Sequence, residues 1–296
     1  MEVIRHIPKP PQRPADGHKG TFGTVIVVGG CESMMGAPAL CATAACRSGV
    51  GLVKIAAPHQ VLATAIAIEP SATGIIIGDD IDAALHQINE SDPHNTAVLA
   101  IGPGLGKSDH AAALVLALLA GPRQIVLDAD GLNILAQTEQ ARPALYANGI
   151  SSTSIPPTLV MTPHPGEYNR LAQAAGINSS PTDENERPNA ANQLATFHEA
   201  VVLLKGKNTI VSDTTKQYKN TTGNVALATA GSGDILTGVI ASLIAQGMTG
   251  FDAACLGAYA HGKAADIWTD KHGDRGLTAQ DLAQTLPQAF KQLNQD

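Results

Sequence analysis

Residues 24–30 read TVIVVGG, an apolar run rich in valine and isoleucine that ends in two glycines. Five more apolar runs follow, with helix-like segments between them: LVKIAA (52–57), TAVLAIG (96–102), QIVLDAD (124–130), TLVMTPH (158–164) and AVVLLKG (200–206). Several lack the apolar–polar alternation of a half-exposed strand, so they predict strands buried on both faces. This order of strand, loop and helix indicates an α/β protein with a mostly parallel central sheet and helices on both faces.

Other segments refine this prediction. A helix is predicted from Asp234 to Gln246, where apolar residues recur on one face and Gly247 ends the pattern as a C-cap. The closely spaced segments 208–213, 216–220 and 225–229 are predicted to be antiparallel edge strands. The small residues of 34–51 predict close helix packing, and the apolar helix at 36–48 is also a candidate surface for subunit association.

Composition excludes several classes of protein. The 296 residues include 19 Lys+Arg and 26 Asp+Glu, a net charge of −7 without basic clusters, so no nucleic-acid partner is expected. The four cysteines form no CxxC pair and no zinc spacing, which argues against a metal centre or a disulfide framework. The longest apolar run, 111–121, is too short to cross a membrane, and the N-terminus lacks the features of a signal peptide. We expect a cytoplasmic protein with no membrane partner.

The length and the linkers bear on the domain organisation. Residues 1–296 are expected to form a single domain, although the length also allows two. The polar stretches 150–157 and 177–190 are expected to be surface loops rather than interdomain linkers.

The loops after the apolar runs are where chemistry is expected, because open α/β sheets bind ligands beyond the carboxyl ends of their strands. These loops are rich in Gly, Pro and Asp: Gly29-Gly30, Gly102 to Gly106, Asp128 to Asn133, Thr162 to Glu167, and Lys205 to Thr209. The loop at 102–106 lacks the GxGxxG spacing, and no GxxxxGK[ST] motif occurs, so neither a dinucleotide fingerprint nor a P-loop is predicted.

The motif Ala230-Gly231-Ser232-Gly233-Asp234 opens the predicted amphipathic helix. Glycines allow close approach of the backbone, and free N–H groups at a helix start attract an anion such as phosphate. Asp234 is either a simple helix cap or a base that takes a proton from an attacking hydroxyl, since an acid beside an anion site otherwise has no task.

The other loops carry two interpretations each. His164 and Glu167 lie in a Pro- and Gly-rich turn, where His164 is either structural or orients a polar ligand while Glu167 holds water around Mg²⁺. Lys205 to Thr209 suits contact with a nucleotide but equally a surface hairpin turn. Asp130 either caps the following helix or contacts a ligand.

Together the motifs resemble the ADP-dependent NAD(P)H-hydrate dehydratases, which have the ribokinase-like fold, a three-layer sandwich. The matching segments, in order along nearly the whole chain, are HKGTFGTVIVVGG, GAPALCATAACRSGVGLV, AIGPGLG, VLDADGLNIL, MTPHPGEYNRL, VVLLKGKNT, AGSGDILTGVIASLIAQG and AYAHGKAAD. GSGD is shared with ribokinase-like kinases, whereas TPHPGE, GPGLG and LDADGLN together are specific to the hydrate dehydratases.

The resemblance implies a reaction and a site. The expected enzyme, a carbon–oxygen lyase, restores NADH and NADPH from the S-epimers of their hydrates (NADHX and NADPHX) with ADP as phosphoryl donor and Mg²⁺ as cofactor, and it releases AMP and phosphate. The residues carried over for the hydrate are Ala37, Gly104, His164 and Asp234, with Asp234 as the catalytic base. Those carried over for the nucleotide are Lys205, Gly206, Lys207, Asn208, Thr209 and Gly233. Asn133, Glu167, Gly231 and Ser232 match the neighbourhood of phosphate and Mg²⁺.

The resemblance also implies partners. Many relatives carry a fused epimerase domain, which is not expected in this chain, so a separate epimerase is expected to act with it; relatives commonly form homotetramers. Two other functions stay open at this point. One is a ribokinase-like kinase for a hydroxyethylthiazole-type alcohol, whose product keeps the phosphate, and the other is a nucleotide-sensing or scaffold protein without turnover.

Overall fold

Each of the six apolar runs contains a strand in the computed structural model, which describes residues 1–140 and 158–293. The strands are β1 (Glu2–Ile4), β2 (Thr24–Val28), β3 (Leu52–Ala57), β4 (Thr73–Ile76), β5 (Val98–Ile101), β6 (Ile125–Leu127), β7 (Leu159–Met161), β8 (Val201–Leu204), β9 (Ile210–Ser212) and β10 (Lys216–Lys219). β3 coincides with its predicted run, and the other five are shorter because the ends of those runs form loops or, at Ala129 and Asp130, the start of a helix.

Seven of the described helices lie between strands along the chain, and three follow β10. They are α1 (Ala37–Arg47), α2 (His59–Ile68), α3 (Ile81–Ser91), α4 (Asp109–Leu119), α5 (Ala129–Gln140), α6 (Pro165–Ala175), α7 (Arg187–His198), α8 (Ser232–Ala245), α9 (Gly250–His272) and α10 (Ala279–Leu293). The predicted helix over 234–246 is confirmed as α8, and Gly247 follows it in a left-handed conformation with φ 96°. Among the described residues, no helix is both long and apolar enough to span a membrane.

The described strands form one sheet in the order β1-β10-β9-β8-β7-β6-β5-β2-β3-β4. β9 runs antiparallel to both β8 and β10, and the other described pairs are parallel. The antiparallel strands predicted at 208–213 and 216–220 are therefore confirmed, but their predicted place at the edge of the sheet is wrong, because β1 pairs with the outer side of β10. The strand predicted at 225–229 is wrong: Val225–Leu227 is a 3-10 helix whose first turn is capped by the Asn224 side chain.

Side chains of alternate strand residues belong to two separate hydrophobic cores. In β2, Val25 and Val27 belong to the core beneath α1, α2, α8, α9 and α10, whereas Ile26 and Val28 belong to the core beneath α3 to α7. Because strand side chains alternate between faces, the sheet is covered by helices on both sides. The predicted three-layer α/β fold is thus confirmed.

Helix α1 packs inside its own chain. Its small residues Ala39, Cys41, Ala42, Ala44 and Ala45 are buried against the same core as α8 and α10. Close packing, rather than a free association surface, is therefore the role of most of this helix, so the expectation that 36–48 supports subunit contact is corrected for these residues.

The two polar stretches have different outcomes. Residues 150–157 lie outside the described residues. The stretch 177–190 is a surface loop only in part, because α7 begins at Arg187 within it and buries that side chain.

Candidate active site

The site lies where the strand order reverses. β2 is followed in sequence by β3 and β4 on one side, and the chain then returns to place β5 on the other side of β2. The loops after these two strands touch, because the Gly30 N–H donates a hydrogen bond to the Pro103 carbonyl (2.9 Å). At Gly102, with φ 117°, a Cβ would lie 1.9 Å from the Asp128 carbonyl oxygen. Only glycine therefore allows the loops after β2, β5 and β6 to meet. Such a reversal is the expected ligand crevice of an open α/β sheet.

Helix α8 begins at this crevice with uncapped N–H groups. Gly231 precedes the helix with φ 84°, and the first helical bond runs from the Ile235 N–H to the Gly231 carbonyl (3.2 Å). Within the described residues no side chain caps this end, so the N–H groups of Gly233 and Asp234 remain free for a ligand. The simple capping interpretation of Asp234 is wrong. The arrangement suits an anion.

Asp234 has an environment that raises its pKa to about 7. Burial is the main cause; the negative charge of Asp128 adds to it, and Lys205 acts in the opposite direction. A carboxyl group that titrates near neutral pH is matched to accepting a proton.

Asp128 forms the centre of the polar network. It is 1% exposed and accepts hydrogen bonds from Lys205 Nζ (2.7 Å) and from Thr237 Oγ1 (2.8 Å). The N-terminal tip of α8 lies directly above this pair, since a Cβ on Gly233 would be 3.4 Å from Lys205 Nζ. Sequence reasoning treated Asp128 only as part of a loop; its position directly after a buried strand was the available signal.

Lys205 keeps its charge in this buried position. Burial by itself would lower its pKa, but Asp128 and Glu167 outweigh that effect and raise it. The protonated ammonium group is therefore a fixed positive charge between the two carboxylates and the start of α8.

His164 and Glu167 cap α6 reciprocally. His164 Nδ1 accepts from the N–H groups of Gly166 (2.9 Å) and Glu167 (3.3 Å), and Glu167 Oε2 accepts from the His164 N–H (2.8 Å). The structural interpretation of His164 is thus correct for Nδ1. Its side chain is still 50% exposed, with Nε2 lying 3.3 Å from Glu167 Oε1, so part of the ring stays accessible to a ligand.

Glu167 connects this cap to the central network. It is buried, its Oε2 lies 3.7 Å from Lys205 Nζ, and burial raises its pKa to about 7, with Lys205 opposing the shift. The pKa of His164 is lowered by burial and by Lys205, so its imidazole is neutral at physiological pH.

Asp130 and Asn133 hold the loop at 102–106. Asp130 Oδ2 accepts from the Gly106 N–H (2.9 Å), and its Oδ1 accepts from Asn133 Nδ2 (3.3 Å). Asn133 Oδ1 in turn accepts from Arg170 Nε (2.8 Å). Asp130 therefore fixes a neighbouring loop by contacts that neither sequence interpretation included.

Residues 205–209 form the turn between β8 and β9, as the hairpin interpretation proposed. Of its residues, Lys205 enters the site and Thr209 Oγ1 donates to the Gly206 carbonyl (3.0 Å). Lys207 is 87% exposed and lies 3.9 Å from Glu184, away from this network.

Arg187 supports this turn from beneath, a role that sequence reasoning missed. Its buried guanidinium donates to the carbonyls of Leu204 (3.0 Å) and Lys205 (3.3 Å). A Cβ on Gly206 would lie 3.1 Å from its Nη1. No local sequence signal indicates this contact, because the arginine belongs to a different element.

Ala37 and Gly104 form the opposite wall. A Cβ on Gly104 would lie 2.9 Å from the Ala37 Cβ, and Leu40, one turn further along α1, approaches Gly231. Ser232 Oγ donates to the Leu227 carbonyl (3.0 Å) and does not face this wall as a free hydroxyl. The loops of α1, β5, β7 and β8 thus converge on the start of α8.

The fold is ribokinase-like: the structure of a ribokinase-like superfamily protein from Enterococcus faecalis has a TM-score of 0.79 at 25% identity and covers 96% of this chain and 92% of its own. Residues 25–288 match the model of the carbohydrate-kinase-type family described as NAD(P)H-hydrate dehydratase. The chain belongs to the NAD(P)H-hydrate dehydratase family.

Individual relatives agree with this membership. The ADP-dependent (S)-NAD(P)H-hydrate dehydratase of Neisseria meningitidis is 38% identical over 92% of this chain and 86% of the relative. The bifunctional NAD(P)H-hydrate repair enzyme of Moorella thermoacetica is 39% identical over 97% of this chain, which spans about half (52%) of that relative. A structure of ADP/ATP-dependent NAD(P)H-hydrate dehydratase from Bacillus subtilis, co-crystallized with ATP/Mg²⁺, has a TM-score of 0.77 at 28% identity and covers 96% of this chain and 95% of its own. The names of these relatives favour the dehydratase hypothesis over the ribokinase-like kinase that the sequence left open.

Proposed function

We propose that the protein is a lyase that repairs nicotinamide nucleotides: it dehydrates the S-epimer of NAD(P)H hydrate at the expense of ADP and yields NAD(P)H, AMP and phosphate. The observation that carries this proposal is the position of the Asp234 carboxyl group in the first turn of α8, where no side chain caps the helix and where burial raises the pKa of Asp234 to about 7. A base next to an anion site is what activation of an alcohol for phosphoryl transfer requires.

The reaction consists of two steps, phosphoryl transfer and elimination of phosphate. Asp234 accepts the proton of the ring hydroxyl, whose oxygen attacks the β-phosphorus of ADP while the bond to the bridging oxygen breaks and AMP leaves. Phosphate then departs from the ring carbon, assisted by the electron pair of the ring nitrogen, and a proton leaves the neighbouring carbon to form the double bond. The backbone of Gly231 to Gly233 and the ammonium group of Lys205 stabilise the charge on the transferred phosphoryl group.

The proposed binding residues fall into two groups, one for each substrate. Ala37, Gly104, His164 and Asp234 bind the hydrate, with the half-exposed ring of His164 in contact with it. Lys205, Gly206, Lys207, Asn208, Thr209 and Gly233 bind the adenine nucleotide. Gly231 and Ser232 shape the helix tip that receives the phosphate.

Mg²⁺ is proposed to enter with ADP. Among residues 1–140 and 158–293, no group of three or more His, Cys, Asp or Glu is arranged to hold a metal ion. Nucleotide-bound Mg²⁺ needs only phosphates, waters and one or two carboxylates, which Glu167 and Asp128 fit. Their oxygens already accept hydrogen bonds from the protein, so they would act through bound water, and Asn133 would support the same neighbourhood through Asp130. The ion would neutralise charge on the phosphates.

The test is a coupled assay with hydrated NADH, ADP and Mg²⁺. Wild-type protein is expected to regain the absorbance of NADH, whereas Asp234→Asn should bind ADP with unchanged affinity and lose turnover about a hundredfold or more, because the general base is absent. Full activity of Asp234→Asn would contradict the role of Asp234. Accumulation of a phosphorylated alcohol without free phosphate would show a kinase instead.

Two experiments test the choice of phosphoryl donor and of hydrate epimer. ADP is proposed as the preferred donor, and a higher rate with ATP under the same conditions would contradict this. A separate epimerase is proposed to supply the S-epimer, so this protein alone should convert only the S-epimer from a mixed hydrate. Complete conversion of the mixture at a single rate would contradict that proposal.

The assembly and location follow the resemblance. We propose that residues 1–296 act as a single-domain homotetramer in the cytoplasm. Light scattering of the purified protein should give four times the mass of one chain.

A further inference from the structure

His261 contacts the start of α8, where the anion site is proposed. It lies on α9, is 8% exposed, and its Nε2 is 2.9 Å from the carbonyl oxygen of Ser232, the first residue of α8. The Ser232 side chain is fixed separately, since its hydroxyl donates to the Leu227 carbonyl (3.0 Å). His261 is thus the side chain from outside α8 that holds the first peptide group of the helix.

That peptide group carries the Gly233 N–H, one of the two N–H groups at the start of α8 that are free for a ligand. The Ser232 carbonyl and the Gly233 N–H belong to the same planar unit, so fixing the oxygen fixes the direction of the N–H. Glycines on both sides of Ser232 allow this segment more backbone freedom than other residues would. The hydrogen bond to His261 therefore adds a restraint from outside α8 to the one that the helix's own hydrogen bonding gives the Ser232 carbonyl.

The protonation of His261 matches this task. Burial lowers its pKa to about 4, and nearby Lys205 acts in the same direction while the Ser232 carbonyl opposes the shift. The ring is therefore neutral at physiological pH. Because a carbonyl oxygen only accepts hydrogen bonds, the proton of the neutral ring lies on Nε2.

We infer that His261 is a positioning residue that aims the Gly233 N–H at the β-phosphate of ADP. The inference rests on the proposed function for the identity of the anion. It assigns no contact between His261 and the substrates, and its effect is transmitted only through the Ser232–Gly233 peptide group.

Three variants test the inference. His261→Leu removes the hydrogen bond and keeps a side chain of similar volume. His261→Gln places an amide nitrogen where Nε2 stands and can still donate to the Ser232 carbonyl. The matched control is Asp266→Asn on the same helix, whose side chain holds the Gly223 N–H (3.0 Å) and Asn224 (2.8 Å) away from the site.

The measurements are the dissociation constants of ADP and AMP, turnover of the hydrate, and thermal unfolding of each variant. For His261→Leu, ADP binding should weaken about tenfold, as expected for one misaligned charge-assisted hydrogen bond, and turnover should fall at least as much. AMP binding should be unchanged, because AMP lacks the β-phosphate. His261→Gln should restore both quantities, and Asp266→Asn should match the wild type in both.

The outcomes separate this inference from the proposed function. The positioning role would be overturned if His261→Leu lost ADP and AMP binding equally or kept its ADP binding unchanged. It would also be overturned if a folded His261→Gln variant did not recover ADP binding and turnover. If wild-type protein regenerates no NADH but the ADP pattern holds, the proposed function fails and the positioning role stands. Wild-type protein that binds neither ADP nor ATP would overturn both.

Discussion

At the scale of single residues, the charge of Asp128 adjusts the reactivity of Asp234. Asp234 must be ionised to accept a proton, and its pKa is raised to about 7, so activity should be lost as pH falls through about 7. Asp128→Asn removes one charge that raises this pKa and frees Lys205, which lowers it. The acid limb of the kcat profile should therefore move down by up to about one pH unit.

Two controls define this prediction. Asp274→Asn, on an exposed side chain outside the network, should leave the profile unchanged. Glu167 also titrates near pH 7, so Glu167→Gln tests whether the limb belongs to it instead. If the acid limb disappears in Glu167→Gln or stays in place in Asp128→Asn, the prediction that it reports Asp234 under the influence of Asp128 is contradicted.

At the scale of elements, Arg187 joins α7 to the turn after β8. Arg187→Ala leaves the carbonyls of Leu204 and Lys205 without their buried donor, so the free energy of unfolding should fall by about 2–4 kcal/mol. ADP binding should weaken as well, because the backbone that carries Lys205 is no longer held. Denaturant titration and calorimetric binding measure the two effects.

The control for Arg187 is the neighbouring basic residue Lys207. Its side chain is exposed and forms only a long, solvent-exposed ion pair with Glu184 (3.9 Å), so Lys207→Ala should change the stability by less than about 0.5 kcal/mol. Equal stabilities of Arg187→Ala and Lys207→Ala would show that the buried contacts do not hold the turn.

The contact between α1 and α8 sets the position of the helix that bears Asp234. At Gly238 a Cβ would lie 2.1 Å from the Cys41 carbonyl oxygen and 2.9 Å from the Ala44 Cβ. Gly238→Ala should therefore separate the helices, lower the free energy of unfolding by about 1–3 kcal/mol and reduce turnover, despite the better helix propensity of alanine.

A matched glycine tests whether the crowding is the cause. Gly78 has nothing within 4 Å of the position of a Cβ, so Gly78→Ala should leave stability and turnover close to the wild type. A Gly238→Ala variant as stable and active as Gly78→Ala would contradict the close approach of α1 and α8.

At the scale of the whole molecule, the crevice joins parts that lie far apart along the chain. The proposed ADP site uses the turn after β8 and the start of α8, whereas the hydrate residues come from α1 and the loops after β5 and β7. Because ADP binds only the folded arrangement, ADP at a hundred times its dissociation constant should stabilise the protein by about 2.7 kcal/mol. Thermal unfolding should show one transition that moves to higher temperature with ADP; two transitions, only one of them responsive, would contradict a single unit.

The apolar patterns of the sequence were sufficient for much of the architecture. TVIVVGG and the five runs like it became strands, and the helix over 234–246 formed almost as predicted. These predictions succeed because burial on both faces and the 3.6-residue period are properties of short segments. The glycines of GSGD predicted the open helix start for the same reason, since the conformation they permit is local.

Only the tertiary structure decided how these segments act together. Lys205 reaches Asp128 across 77 residues and Thr237 reaches it across 109, and no local pattern encodes such pairs. The same holds for Arg187 under the turn and for His261 beside Ser232. The pKa of Asp234 depends on burial and on charges from other elements, so the sequence alone determined which groups are present, and the packing of the sheet and helices determined their chemistry.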